Sequence, residues 1–477
     1  MLTRVKNIIL TELSEYKWVL ILFPFFSSIS IVAQTNFVII HKIDIVNNHN
    51  TKDYILFHEL DFKAGDTISI ENLSSRMQSN ERRIKSIGLF NHATINIKNW
   101  NTDINSCDIE ISVIENWFIY PYIIFELADR NFNVWRREFN YSLKRVNFGI
   151  AGNHINLTGN KDKLKLKVQG GYVRKLEAYY DYPYIWGNWG IAGNLLYAEN
   201  RELAYITQHN KPLFFKQEDN NKVQFLYKCS AAVSQRISPY MNQSFRLEFN
   251  KYQTDAEVAK LNPDYLGHGK SSINFFYLDY SLKYDHTEYP LYPLKGYRFE
   301  LNARKEGLGI FKDVNNAWIS LNIEQHFRLT QNLILSARIK FKTNFQPDPV
   351  PYILSNAIGY KNDFLTGYQL YVMDGKHFML TKHALRYRIF DKNLNTPSFL
   401  PRQFSMLNVQ LFSRINLDAG YSFGVPHDRE NLLNNSIQLG YGMGFDLILF
   451  NNFIASADLG ITRQGEAGLF FSGGFNF

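Results

Sequence analysis

Three short patterns in the sequence contain residue types used in catalysis or metal binding. Gly420-Tyr-Ser-Phe-Gly424 has the spacing of a serine nucleophile on a tight strand-to-helix turn. This segment alternates like a strand and leads to Pro426, so it lacks the helix that such a nucleophile requires. His58-Glu59 has no second histidine to complete a zinc-binding helix, and the polar cluster Asp285–Glu288 is typical of a solvated turn.

Other signals of an enzyme or a cofactor are missing from the sequence. It contains no glycine-rich phosphate loop and no spacing of zinc ligands. Cys107 and Cys229 are far apart and show neither metal nor redox spacing, so we expect them to stay unpaired. We therefore predict a protein that is not an enzyme and has no metal or other cofactor. A lipid hydrolase using Ser422 is the catalytic alternative, although no serine–histidine pair stands out.

Composition separates the remaining classes of protein. Aromatic residues make up 16% of the 477-residue chain, yet the mean hydropathy is negative. A bundle of membrane helices would give a positive value, whereas a barrel wall with a lipid face and a polar lumen face accounts for both features. The net charge of +8 is spread singly along strand-like segments. This distribution predicts a cationic lumen or contact with anionic lipid, and no nucleic-acid partner.

The N-terminus has the organisation of a secretory signal peptide. Arg4 and Lys6 precede the apolar stretch Trp18–Val32, and Ala33 provides a small residue for cleavage. The stretch is short for a membrane span and serines interrupt its second half, although a single membrane anchor remains the alternative. We predict that residues 1–33 are a signal peptide.

Residues 37–115 are predicted to form one small α+β domain. Helical spacing of apolar residues, strand-like runs and turn residues define its segments. In order, the predicted elements are the strand Phe37–Val46, the helices Lys52–Leu60 and Ile70–Ile87, and the strands His92–Lys98 and Cys107–Ile114. Gly88 is expected to end the second helix.

Residues 117–477 alternate between apolar and polar along much of their length. In the clearest case one face carries Leu333, Leu335, Ala337, Ile339 and Phe341, and the other carries Ser336, Arg338, Lys340 and Lys342. Such alternation predicts strands with one apolar face. Soluble sandwiches alternate too, but aromatic enrichment and repeated charges on the polar face favour a transmembrane antiparallel β-barrel. About 16 strands would leave about 22 residues for each strand and its connection, which suits membrane strands.

The C-terminal segment predicts the closing strand of this barrel. One face carries Leu469, Phe471, Gly473, Phe475 and Phe477. The last residue is itself aromatic, which suits a membrane interface, although an ordinary edge strand is the alternative. Gly473 and Gly474 weaken the packing of the strand, which predicts a labile seam between the first and last strands.

Taken together, these segments resemble the BamA/TamA superfamily. The domain at 37–115 is similar to a POTRA domain on the segments Ile43–Thr51, His58–Leu60, Gly65-Asp66 and Ile87-Gly-Leu-Phe90. The barrel region is similar on Asp285, Pro293-Leu-Lys-Gly296, Phe364-Leu-Thr-Gly-Tyr368, His383–Arg388, Leu417–Gly420 and Gly440–Gly444. The resemblance covers nearly the whole predicted mature chain and implies one POTRA domain before a barrel of about 16 strands.

The resemblance also implies a lid loop inside the barrel. Its motif would be Leu365, Thr366, Gly367 and Tyr368, and Thr366 stands where the family carries an arginine. That arginine reaches an acidic residue of the barrel wall, for which Asp418 is the candidate here. We expect Asp418 to need another cation, such as Lys361, Arg386 or Arg388, because a buried carboxylate without a partner is unfavourable.

By this resemblance the protein would insert proteins into, or translocate them across, the outer membrane, with its N-terminal domain in the periplasm. Its partners would be outer-membrane lipid, client polypeptides (barrel proteins or secreted proteins) and other envelope assembly subunits. A passive anion-selective channel and a structural barrel subunit of an envelope complex are the alternatives. The sequence does not name the client or separate insertion from secretion.

Overall fold

A computed structural model describes residues 37–477 except 220, 289–290, 347–349, 361–362, 396–405, 425–429, 450–452 and 476–477. The predicted signal peptide lies outside the described residues. The chain divides into two compact units. The first comprises the described residues up to Val46, together with Leu60–Arg83 and Ala93–Ser112; the second comprises Asn47–Glu59, Ile84–His92 and Val113–Phe477.

A four-stranded sheet lies near the N-terminus; in sheet order its strands are Thr67–Ser69, Phe37–Val46, Ser106–Glu115 and Phe90–Asn101. Its strands are β1 (Phe37–Val46), β2 (Thr67–Ser69), β3 (Phe90–Asn101) and β4 (Ser106–Glu115). The helices of this region are α1 (Asp53–Phe57) and α2 (Ile70–Ser86). Gly88 follows α2 with a φ of +78°, a left-handed conformation that glycine adopts without strain. The short strand β2 was not predicted, because its three residues are too few to show a period.

The second unit is built on one 16-stranded antiparallel sheet, which confirms the predicted fold class. In order along the sheet its strands are β5 (Ile119–Leu127), β6 (Val146–His154), β7 (Lys163–Gly171), β8 (Val173–Trp186), β9 (Trp189–Asn200), β12 (Gln224–Ser238), β13 (Met241–Thr254), β14 (Ser272–Thr287), β15 (Gly296–Glu306), β16 (Asn316–Arg328), β17 (Leu333–Asn344), β20 (His377–Asn395), β21 (Met406–Phe423), β22 (Gln438–Leu449), β23 (Phe453–Thr462) and β24 (Ala467–Phe475).

Burial in this unit is inverted relative to a soluble protein. Large apolar side chains on the strands are exposed, such as Ile123 at 82% and Ile150 at 66%, whereas Asp418 and Asp446 are buried. On β17 the alternation is as predicted, since Leu335, Ile339 and Phe341 are exposed. Soluble proteins rarely expose so continuous an apolar surface, but the lipid-facing wall of a membrane barrel requires one.

The antiparallel order places successive connections at alternate ends of the sheet. Short connections such as 187–188, 239–240 and 329–332 lie at one end, here called the turn end. The longest connections lie at the other, here called the loop end: they are 128–145, 201–223, 255–271, 345–376 and 424–437. This division into short turns and long loops is typical of outer-membrane barrels.

The long connections contain small elements that the sequence did not predict. They are α3 (Phe132–Glu138), the hairpin β10 (Glu202–Gln208) with β11 (Lys211–Lys216), α4 (Ala256–Leu261), and the paired segments β18 (Asn356–Ile358) and β19 (Met373–Asp374). Among the helices that the structure describes, none is long and apolar enough to cross a membrane.

Candidate functional site

The residues of the predicted lid motif lie together in the connection 345–376, here called the lumen loop. Leu365, Thr366 and Tyr368 are almost completely buried, at 0%, 6% and 1% exposure. They contact β21, β22 and β23 on the face opposite exposed side chains such as Leu417 and Leu459. Because alternate residues of a strand point to opposite faces, the lumen loop lies on the inner face of the sheet.

Asp418 has a cation beside it, as expected, but among the described residues that cation is Lys382 and not Arg386 or Arg388. The backbone N–H and the hydroxyl of Thr366 both donate to Asp418 Oδ2, each at 2.8 Å. Lys382 Nζ lies 3.7 Å from the same oxygen. A carboxylate held by two short hydrogen bonds and a nearby cation is stable when buried, so the threonine replaces the arginine by direct contact.

The predicted substitutes for that arginine bind other groups or lie outside the described residues. Arg386 donates to the carbonyl of Pro293, and Arg388 donates to the carbonyl of Gln331. Lys361 lies outside the described residues. Lys382 was missed because neither its spacing nor its type singles it out in the sequence.

Glycines on three adjacent strands form the seat of the lumen loop. A Cβ added to Gly440 would lie 2.0 Å from the carbonyl oxygen of Thr366, and one on Gly460 would lie 2.5 Å from the backbone nitrogen of Gly367. A Cβ on Gly420 would lie 2.8 Å from Leu365 Cδ1. At Gly440 and Gly460 the added Cβ would meet backbone atoms, so only glycine permits this approach; at Gly420 it would meet a side-chain end that can shift.

A second set of contacts fixes the loop to β17 and β20. Asp363 accepts hydrogen bonds from Arg338 at 3.0 Å and from Lys340 at 2.6 Å. Lys382 donates to the carbonyl of Phe364 at 2.8 Å. The alternation placed Arg338 and Lys340 on the polar face of β17, but no pattern in the sequence indicated their partner.

The hydroxyl of Tyr368 joins the loop to the end of β23. It accepts a hydrogen bond from the backbone N–H of Arg463 at 3.0 Å and lies 2.9 Å from Gln464 Oε1. Gly367, just before it, has a φ of +88°, which turns the chain into the glycine seat. The loop is therefore held at both the motif threonine and the motif tyrosine.

The predicted closing strand is β24, one edge of the 16-stranded sheet. Leu469 and Phe471 are exposed by 44% and 37%, whereas Phe470 between them is buried, as the alternation predicts. In the described part of the chain β24 pairs with β23 alone, and β5 pairs with β6 alone. Helix α3, which follows β5, packs on β24, so the two edges of the sheet lie close together. The predicted role of Gly473 and Gly474 stays a prediction, and Phe477 lies outside the described residues.

A buried ion pair lies at the turn end, within the second unit. Glu59, at 2% exposure, accepts two hydrogen bonds from Arg236, at 2.6 and 2.7 Å, and Lys161 Nζ lies 3.2 Å away. The ring of His58 stacks on Tyr184 at 4.7 Å. Burial raises the pKa of Glu59, but the Arg236 hydrogen bonds and the charge of Lys161 outweigh it, so the pKa lies below its ordinary value.

The structural context of Ser422 is that of a strand. It lies near the end of β21 and is fully buried. Cys107 and Cys229 are free thiols. The absence of catalysis and of cofactors stays a prediction.

Comparisons with known proteins agree with this architecture. The family model described as POTRA, surface antigen variable number repeat, matches residues 38–116. The chain therefore combines a segment that matches the POTRA model with a 16-stranded antiparallel sheet. A solved structure of BamA from Haemophilus ducreyi lacking POTRA domains 1–3 is 12% identical, with a TM-score of 0.54, over 91% of this chain and 84% of that one. No curated protein matches the sequence significantly.

A second solved structure has the same fold. CdiB from Escherichia coli is 8% identical, with a TM-score of 0.55, over 91% of this chain and 75% of that one. At such low identity the two likenesses concern the fold alone and not individual residues.

The first prediction concerns the anchor of the lumen loop. Asp418→Ala removes the acceptor of two hydrogen bonds, so we expect the barrel to lose about 2–3 kcal/mol of unfolding free energy in lipid vesicles. Thr366→Val removes one hydroxyl and keeps the backbone N–H, so the expected loss is about 1 kcal/mol. Equal stability of Asp418→Ala and the unmodified protein would contradict the anchor.

The second prediction concerns the glycine seat. Gly440→Ala should displace the lumen loop, because its Cβ would overlap the Thr366 carbonyl. Gly152→Ala, on β6 with no atom within 4 Å of the added Cβ, is the matched control. We expect larger single-channel currents in planar bilayers and faster trypsin cleavage at Lys376 for Gly440→Ala only. Equal behaviour of the two variants would show that the seat does not hold the loop.

The third prediction concerns pH and the Glu59 ion pair. Because the pKa of Glu59 is lowered in the folded state, the pair stabilises fully above the unfolded value of about 4.3 and is lost as pH falls through the folded value. At pH 7, α1 amides should exchange with solvent at least about tenfold more slowly in the unmodified protein than in Glu59→Gln. The difference should shrink below about pH 4; a difference independent of pH would refute this role.

Proposed function

We propose that this protein resides in the outer membrane, with its POTRA domain in the periplasm, and that it inserts polypeptides into the membrane or translocates them across it. The observation that carries the proposal is the edge of β24, which meets a short helix where a closed barrel would present a strand. The POTRA-plus-barrel architecture supports the same function, through the family that it resembles.

The distribution of apolar surface supports the membrane location. Exposed apolar side chains run along successive strands of the sheet, including Ile123, Ile150, Leu195, Ile339, Ile415 and Met443. On the inner face, Arg414 forms ion pairs with both Asp446 and Asp458. A surface of this kind is stable in hydrocarbon and would aggregate in water.

The chemistry of an open edge supports a role with polypeptides. A strand with one neighbour presents unpaired N–H and C=O groups that an incoming extended segment can bind. In a bilayer each unpaired backbone group is unfavourable by several kcal/mol, so an incompletely paired seam favours a strand that completes it. In the four-stranded sheet, β3 likewise has one strand neighbour among the described residues. Client strands would pair with the edge of β24 or with the edge of β3 by the same kind of backbone hydrogen bond.

The lumen loop is an argument against a passive channel. Its motif is buried against three strands, and Asp363 is bound to two cations of β17. At the loop end, Arg130 donates to three carbonyls of the same loop, at Gly359, Leu370 and Tyr371. A pore that conducts freely would not need an occluding segment held from several sides.

Depletion in cells tests the proposed function. We expect loss of the protein to lower the amounts of other barrel proteins in the outer membrane if it inserts them, or of one secreted protein if it exports a dedicated client. Quantitative proteomics of the outer-membrane and secreted fractions measures the change. Expression of the control variant Gly152→Ala in the depleted cells should restore normal amounts. Unchanged fractions, together with a steady conductance that does not depend on residues 37–115, would favour the passive channel. Unchanged fractions with co-purification in an envelope complex would favour a structural subunit.

A further inference from the structure

Helix α3 contacts the outer edge of β24 through the side chain of Asn133. This residue is 1% exposed. Its Nδ2 donates to the carbonyl of Phe471 at 3.2 Å, and its Oδ1 accepts from the N–H of Phe471 at 3.0 Å. One carboxamide therefore binds both backbone groups of a single edge residue.

This pair of hydrogen bonds reproduces strand pairing. In an antiparallel ladder, a residue in a hydrogen-bonded pair exchanges both an N–H and a C=O with the residue opposite. Residues two apart present their backbone groups to the same edge, and Arg136 Nη2 donates to the carbonyl of Leu469 at 3.0 Å. Asn133 and Arg136 together occupy the positions that two alternate residues of a neighbouring strand would occupy.

Side-chain packing holds the helix on this edge. Val134 packs in a buried cluster with Phe470 of β24 and Leu370 of the lumen loop. The guanidinium of Arg136 lies 5.8 Å from the ring centre of Phe471, and the Phe132 ring meets the same ring edge-on at 6.2 Å. Arg137 also lies 5.9 Å from the ring centre of Phe470, and Glu138 pairs with Lys211 at 2.7 Å. All of these are side-chain contacts of a seven-residue helix, so its release breaks no hydrogen bond of the strand ladder.

We propose that α3 is an autoinhibitory latch that covers the strand-accepting edge of β24 at Leu469–Phe471. An extended client segment competes with Asn133 and Arg136 for the same backbone groups and pairs there once the helix moves away. The occupant is a peptide backbone, because the groups that α3 binds are those that a strand binds. This inference rests on the proposed function, since the client is taken from it.

The latch is tied to the lumen loop at its start. Asn131 accepts a hydrogen bond from the N–H of Val134 and caps α3, while its Nδ2 donates to the carbonyl of Gln369 at 2.7 Å. Arg130, directly before it, donates to the carbonyls of Leu370 and Tyr371 at 2.7 and 2.9 Å. Displacement of the lumen loop therefore weakens the latch, so the inner loop and the outer edge are released together.

Hydrogen exchange of purified protein in lipid nanodiscs tests the latch without any client. Asn133→Ala should speed exchange of the Phe471 amide at least about tenfold, as expected from losing hydrogen bonds of ordinary strength. Arg136→Gln should weaken the latch more mildly and serves as a second variant. Asn140→Asp, at an exposed position in the same connection, is the matched control and should leave exchange unchanged. A shift in gel migration between unheated and heated samples reports whether each variant still folds.

The outcomes separate the latch from the proposed function. Faster exchange in both latch variants, with more barrel client inserted into vesicles, supports both. Faster exchange of the Phe471 amide, with no client inserted by the unmodified protein or by either variant, supports the latch as a cover of the β24 edge. The same result contradicts the proposed assembly role. Unchanged exchange at Phe471 in folded Asn133→Ala and Arg136→Gln overturns the latch, whatever the insertion assay shows.

Discussion

The structure depends on one constraint, which is that every backbone N–H and C=O group in a membrane needs a partner. Fifteen antiparallel pairings satisfy this requirement through the 16 strands from β5 to β24. Only the two outer edges remain, because β5 and β24 each have one strand neighbour among the described residues. At β24 the Asn133 carboxamide and the Arg136 guanidinium bind both backbone groups of Phe471 and the carbonyl of Leu469. Side chains can leave such a position far more readily than a strand can leave a ladder.

The inner face of the sheet is arranged around the same edge. Thr366 and Asp418 anchor the lumen loop, and glycines of β21, β22 and β23 let its backbone approach the wall. The loop in turn holds Arg130 and Asn131, which precede and cap α3. A continuous chain of contacts therefore links a buried carboxylate inside the barrel to the edge of its last strand. These contacts couple the lumen loop to the β24 edge only if the loop can occupy a second position. Gly440→Ala tests this coupling at the loop, and Asn133→Ala tests it at the edge.

The larger elements follow from the sequence because their physical signals are periodic. Alternation on segments such as Leu333–Phe341 specifies strands with one apolar face, and helical spacing specifies α2. The lid motif and Asp418 were found by resemblance, and the structure brings Thr366 and Asp418 into contact. Of the predicted cations, Arg386 and Arg388 bind elsewhere, and Asp418 is paired with Lys382 and with the hydroxyl and backbone N–H of Thr366. Asn133, Asp363 and Lys382 gave no signal. The partner of Asn133 lies 338 residues away, and the partners of Asp363 and Lys382 are fixed by the path of the lumen loop and by strand register.

In the proposed function, the edge of β24 receives client strands. A photo-crosslinking amino acid at Leu469, on that edge strand, tests it directly during assembly of a barrel client. Leu459 is the matched control, because it is the register partner of Leu469 on β23, one strand away from the edge. We expect an adduct with the client at position 469, increased by Asn133→Ala, and none at position 459. No client adduct at 469, or equal adducts at both positions, would contradict it.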